Sequence, residues 1–299
     1  MSLLIYKKVL FLVPFGGILL CVQYFKKRKR KAINSVAIFF FLIAFLFLLL
    51  WFKNPLTEKR NALGPIYICL MFLVIPKLLN TNVKTLFFLF FTMIIGFPVF
   101  AIVTHSDATF NAIIKNPGIL IEEMKGGGIT NAFNTLNYDA FINITASVDY
   151  VSTYGYSMGY QLLSALLFFV PRSIWENKPY STGAVVGEHL IESHGFTFSN
   201  LSNPLVSEGY INFGIIGVFI GAFALAYVII KLMSWFKSDD YLKKIMSFYF
   251  ALHMIFLLRG DFANGLSYYV GTLAGVIIIP KFIEYIIKQI LIHQKHGKD

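Results

Sequence analysis

The chain has 299 residues, of which 57% are hydrophobic and only 14% charged, and its mean hydropathy is +0.68. That balance excludes a soluble globular domain and defines an all-α, polytopic helical membrane protein. The formal net charge of +11 does not mark a nucleic-acid partner, because the basic residues hug the ends of apolar windows without interleaved aromatics. It reads as a topology signal and as attraction to an anionic inner leaflet.

Spanning the hydrocarbon takes about 20 mostly apolar residues. Windows near that length run from Val9 to Phe25, Ser35 to Phe52, Ala62 to Ile75, Leu86 to Val103 and Gly214 to Phe236. Lys7 and Lys8 precede the first window, but no small-residue cleavage site follows it, so it is read as a span and not as a signal peptide. Leu162 to Val170 is too short to cross and predicts a re-entrant or short helix near 162–170. Two shorter windows, Ile245 to Leu258 and Leu266 to Ile279, flank Arg259-Gly260-Asp261, and the second continues through Phe282 to Ile292 as a helix leaving the membrane. Together these predict a single membrane domain over 1–299 with about seven to eight membrane segments. Cys21 and Cys69 lie inside apolar runs, where cysteine acts as a small hydrophobe, and predict no disulfide or metal framework.

Orientation follows from Lys26, Lys27, Arg28, Lys29, Arg30 and Lys31, a short basic loop expected on the cytoplasmic side. Alternation then places the N-terminus outside, with Lys237, Lys243, Lys244 and the basic C-terminal end inside. Two regions, 104–160 and 171–211, become outer loops. Asp139, Asp149 and Tyr150 in the first are read as solvated or interfacial residues ahead of any catalytic role.

The chemistry falls on the second outer loop. Arg172 follows Pro171 at the end of the run Leu166 to Val170, which holds a guanidinium at the membrane surface beside Trp175. A guanidinium there reads equally as a headgroup anchor and as a ligand for a lipid-linked phosphate, which it can meet bidentately. Arg259, between two apolar windows and without basic neighbours, tilts the reading toward one anionic site shared with Arg172. Glu208, at the mouth of the next span, can act as a general base, orient the arginines, or simply favour a helix N-terminus. Glu188, His189, Glu192 and His194 show no ligand spacing and are read as polar loop residues, so no metal is expected. Gly217-x-x-x-Gly221 and Gly271-x-x-x-Gly275 read as helix-packing notches. No phosphate-binding glycine loop, nucleotide motif or nucleophile elbow occurs, and no cofactor is expected.

The phrase Val170-Pro171-Arg172-Ser173-Ile174-Trp175-x-x-Lys178-Pro179, followed by Glu208-Gly209-Tyr210-x-Asn212-Phe213-Gly214-x-x-Gly217, resembles bacterial Wzy-type polymerases of surface polysaccharide repeat units. The stretch from Asp139 through Tyr150 to Tyr160 is similar to the segment that precedes this signature in such proteins. The resemblance covers roughly the second half of the chain. It implies a GT-C-like membrane glycosyltransferase of the bacterial plasma membrane, with its active site on the extracytoplasmic side. Undecaprenyl-diphosphate-linked oligosaccharides are the implied substrates, with the lipid bilayer, a chain-length regulator and a flippase of the same pathway as partners. On that resemblance Arg172 and Arg259 bind the diphosphate, and Glu208, ahead of Asp261, takes the acceptor proton. Tyr160, Trp175, Lys178, Tyr180, Tyr210 and Asn212 meet the glycan or its lipid diphosphate. The alternatives are an O-antigen-ligase-like transferase and a transporter or flippase of lipid-linked glycans. A flippase of this kind is expected to show paired, interrupted spans in two related halves, and no such internal repeat is visible.

Overall fold

The computed structural model describes residues 8–27, 34–54, 60–75, 81–92, 96, 115–116, 118, 140–197, 199 and 201–296. The expected window Leu86 to Val103 falls partly outside these residues, as does most of the region 104–160. Among the described residues the ordered elements are helices: α1 (Val13–Lys27), α2 (Asn34–Phe52), α3 (Arg60–Val74), α4 (Asn82–Phe91), α5 (Ala140–Tyr154), α6 (Tyr160–Leu166), α7 (Thr182–His194), α8 (Leu205–Phe236), α9 (Tyr241–Arg259), α10 (Phe262–Leu273) and α11 (Ile279–His296). A π-helical stretch, Ala274–Ile278, joins the last two.

Five of these segments are long and apolar enough to cross a membrane: Leu10–Lys27, Ser35–Phe52, Leu205–Phe236, Tyr241–Arg259 and Phe262–Ile286. Ala62–Val74 and Asn82–Phe91 are apolar but shorter, so the described residues hold fewer full spans than the sequence windows suggest. The helix near 162–170 is the seven-residue α6, about 10 Å long and unable to cross. Helices α2 and α8 turn Phe40, Phe47, Trp51, Ile216, Phe223 and Ile230 outward, fully apolar faces that suit lipid tails.

Two cores hold the chain together. The larger one packs Leu12, Phe15 and Leu19 of the first helix region against Ile66, Cys69, Met246, Tyr249 and Val276. Gly271 and Gly275 do form the expected notch, since a Cβ at Gly275 would stand 2.7 Å from the Val9 carbonyl and one at Gly271 would collide with that of Lys8. The smaller core joins α5, α7 and the start of α8 through Ala146, Val151, Val186, Leu190, Leu201 and Ile211.

The feature that positions the site is a sharp break inside α8. Phe213 (φ −143°, ψ 21°) and Gly214 (φ 61°, ψ −145°) leave helical geometry, so Leu205–Asn212 and Ile215–Phe236 are separate helical arms. The fold is tight enough that a Cβ on Gly209 would lie 2.5 Å from the Gly217 carbonyl. In a straight helix these two residues would be about 12 Å apart along the axis. Gly217 therefore packs on Gly209 of its own chain, whereas Gly221 has nothing within 4 Å and forms no notch with it. The arm from Ile215 onward is about 33 Å long, enough to span alone.

Candidate functional site

Below the break, the first arm of α8 meets α6 through Asn212, and the start of α7 and the α9–α10 junction through Glu208. Asn212 ties this arrangement together. Its Oδ1 accepts from the Ser157 hydroxyl at 3.0 Å and from the Leu162 N–H at 3.1 Å, while its Nδ2 donates to the Glu208 carbonyl at 2.8 Å. Asn212 is buried and all these bonds are internal, so its visible role is to hold α6 against α8 and not to face a ligand.

Beside it lies a cavity of about 540 Å³ whose lining includes Lys8, Arg172, Lys178, Asp261, Ser164, Ser181, Asn264 and Ser267. Three cations face it against one carboxylate, a balance that suits a polyanion. The Arg172 guanidinium donates to the Lys178 carbonyl and, at 3.3 Å, to the Pro179 carbonyl, and it lies 4.0 Å above the Tyr180 ring. Lys178 donates to the carbonyls of Leu167 at 2.7 Å and Val170 at 3.0 Å. Burial, followed by the neighbouring Arg172 charge, pushes the Lys178 pKa below the ordinary lysine value. An anion in the cavity would favour its charged form.

Lys8, in sequence only the flank of an apolar span, is the third cation. It donates to the Ser267 hydroxyl and lies 4.2 Å above the Tyr268 ring, which brings the start of the first helix to the same end of the bundle as Arg172. Lys26, at the other end of α1, lies 5.2 Å from the ring of Tyr241 at the start of α9. The cavity and Lys26 therefore mark opposite ends of α1.

The two candidate carboxylates occupy different places. Asp261 caps α10, its Oδ1 accepting from the Asn264 N–H at 3.1 Å and its Oδ2 from the Gly183 N–H at a long 3.4 Å, and it lines the cavity. Glu208 is buried behind that wall, with Oε1 accepting from the Thr182 hydroxyl and, at 3.0 Å, from the Phe262 N–H. Glu208 thus joins α8 to the starts of α7 and α10. Arg259 closes α9, one residue before Gly260 and two before Asp261, and is half-buried. It does not line the cavity that Arg172 lines.

The aromatic residues form a scaffold at the edge. The Trp175 indole N–H donates to the Tyr160 hydroxyl at 3.2 Å, and that hydroxyl donates to the Asn177 carbonyl at 2.8 Å. Tyr180 supports Arg172, and Tyr210 packs edge-on against Tyr156 at 5.9 Å. None of Tyr160, Trp175, Tyr180 or Tyr210 lines the cavity.

The segment 171–211 contains the helix α7, so Glu188, His189, Glu192 and His194 are helical, not loop, residues. His189 and His194 both turn toward Asp149 of α5: their Nε2 atoms lie 2.8 and 3.0 Å from its Oδ2. Those hydrogen bonds, His194 first and then His189, hold the Asp149 carboxyl below its usual pKa. No local spacing could reveal this group, because the third member comes from another helix 40 residues upstream of His189.

The fold and cavity define a polytopic helical membrane protein with a cation-lined site at one end of its bundle. Residues 194–289 match the family model of O-antigen polysaccharide polymerase Wzy. The match starts at the end of α7 and takes in Glu208, Arg259 and Asp261, whereas the Arg172 segment precedes it. No curated protein and no solved structure matches the chain.

Proposed function

We propose that the protein polymerises undecaprenyl-diphosphate-linked oligosaccharide repeat units on the outer face of the bacterial plasma membrane. The family match supports surface-polysaccharide polymerisation, and the observation that carries the substrate is the cavity lined by Lys8, Arg172 and Lys178. These cations hold the donor's diphosphate and offset the charge that grows on it as the anomeric bond breaks. A hydroxyl of the incoming lipid-linked repeat attacks the donor's anomeric carbon. The carbon–oxygen bond to the diphosphate breaks, its electron pair stays on the diphosphate oxygen, and undecaprenyl diphosphate leaves. The hydroxyl proton passes to Asp261, the carboxylate on the cavity wall, while Glu208 holds α7 and α10 in register behind it. This reverses the order in which the sequence ranked the two carboxylates. Arg259 acts from behind the Asp261 cap and not on the diphosphate directly. Cleavage of the glycosyl–diphosphate bond drives the step, so no soluble nucleotide sugar enters.

The outer-face assignment uses the opposition between Lys26 and the cavity, since the basic loop is expected inside. A strain lacking the gene is expected to display single-repeat surface glycan in place of long polymer when its polysaccharide is resolved on a gel. Absence of all surface glycan would instead point to a flippase or an earlier enzyme.

Arg172→Lys tests the anion contact. Lysine keeps the charge but loses the planar fork and its support on Tyr180 and two carbonyls. Complementation with this variant should yield markedly shortened polymer at normal levels of inserted protein. Polymer of normal length would reduce Arg172 to a headgroup anchor.

A further inference from the structure

The cluster of Asp149, His189 and His194 lies at the far end of α7 from the cavity. Thr182, which bonds Glu208, and His194 are 12 residues apart on one helix, about 18 Å. The cluster is therefore outside the site assigned to polymerisation. Each of its residues offers one ligand atom, and the three atoms lie within 4.8 Å of one another. The two imidazoles converge on a single carboxylate oxygen, so both are already aimed at a common point.

The chemistry of the donors selects the occupant. Two imidazole nitrogens and one carboxylate suit a borderline first-row divalent ion, whereas magnesium and calcium favour oxygen-only sets. Ligands at zinc distances around a tetrahedral centre stand about 3.4 Å apart, so a small withdrawal of the Asp149 oxygen from between the rings makes room for the ion. His189 is pre-positioned for this role. It is 3% exposed, its Nδ1 lies 3.2 Å from the Ser193 hydroxyl, and the Tyr150 and Tyr154 rings pack at right angles to it. A partner on the second ring nitrogen fixes tautomer and orientation, as ligating histidines require. The His194 and Asp149 side chains are 51% and 46% exposed, which gives the ion an entry path and leaves a fourth position for water. His194 is the last residue of α7, and Gly195 turns the chain away with φ 69°.

We infer that Asp149, His189 and His194 form a binding site for a divalent cation of the zinc class, which joins the C-terminal end of α7 to α5. The ion is structural: it fastens a helix whose other end holds Glu208 and Asp261, and it takes no part in glycosyl transfer. Binding can be read without any glycan substrate, so failure of the polymerase reading and failure of this inference are separable.

The test uses the full chain, purified in detergent through a histidine-free tag, stripped with a chelator and titrated with zinc chloride against a chromophoric competitor. One zinc per chain is expected by plasma mass spectrometry after desalting. His194→Ala and Asp149→Asn alter partly exposed side chains, so both should remain monodisperse while each weakens zinc binding by at least about tenfold. A large excess of magnesium should leave the zinc in place. Substoichiometric zinc in the wild type, undiminished affinity in both variants, or displacement by magnesium would each overturn the assignment.

Discussion

Asp261→Asn is expected to slow elongation of lipid-linked repeats by roughly a hundredfold to ten-thousandfold, the usual cost of losing a general base. Substrate binding should change little. Asparagine is nearly isosteric and is itself a good helix cap, so the bond from the Asn264 N–H that starts α10 survives and the fold is retained. What disappears is the proton acceptor on the cavity wall. Glu208→Gln provides the contrast. Its remaining carbonyl oxygen can still accept from the Thr182 hydroxyl and the Phe262 N–H, so elongation should persist at near-normal rates. Glu208→Ala strands both donors in a buried place at about 1–3 kcal/mol, and should lower the amount of folded protein more than the rate per molecule. Purified protein with synthetic lipid-linked repeats separates the two effects, because turnover and folded fraction are measured independently. Full turnover in Asp261→Asn together with loss in Glu208→Gln would return the base to Glu208.

The spans were legible because hydropathy over about 20 residues is a one-dimensional signal that tertiary contacts do not alter. The window Ser35 to Phe52 lies within α2, one residue short of its start, and the helical run Phe262–Ile286 begins four residues ahead of the window Leu266 to Ile279 and takes in Phe282, where the sequence has a helix leaving the membrane. The apolar window starts at Gly214, whereas helical geometry resumes at Ile215 after a break that hydropathy cannot register. Functional geometry was less legible because it depends on which ends of distant helices meet. Arg172 stands out by its charge in an apolar context, Asp261 as the acidic neighbour of Arg259, and Lys178 only through the family resemblance, and the cavity brings these three together. Arg259 carried the same signal and does not line it. Lys8 does not stand out in sequence, because a lysine at a span end has the same signature whether it faces headgroups or a cavity. Glu208 stands at the mouth of a span in sequence, which favours it as the base, yet the fold of α8 turns it inward to Thr182 and Phe262. Asp149, His189 and His194 meet only through the packing of α5 on α7.

The break in α8 gives the second large effect, and it explains the glycines of the Glu208-to-Gly217 phrase. Gly214 has φ 61° and ψ −145°, near a region of backbone space that is essentially closed to other residues. Alanine there costs about 1–3 kcal/mol in backbone strain. Its Cβ would also press on the Tyr156 ring at 3.1 Å. Gly217→Val is harsher, since even a Cβ would collide with the Gly209 carbonyl and force the two arms of α8 apart. Inside a membrane that loss has no hydrophobic compensation, because lipid is as apolar as the helix it would replace and close backbone approach supplies much of the attraction. Opening the arms draws Glu208 away from Thr182 and Phe262 and carries off the Asn212 bonds that seat α6, so the wall of the cavity is lost with the kink. Both variants should abolish polymer on a gel of surface polysaccharide and reduce the inserted protein seen by immunoblot. Gly221→Ala, four residues further along the same arm with nothing within 4 Å, should leave polymer and protein levels unchanged. Equal loss in all three would trace the defect to the glycines of the span in general, and polymer of normal length from Gly217→Val would show that the site does not depend on the folded-back arm of α8.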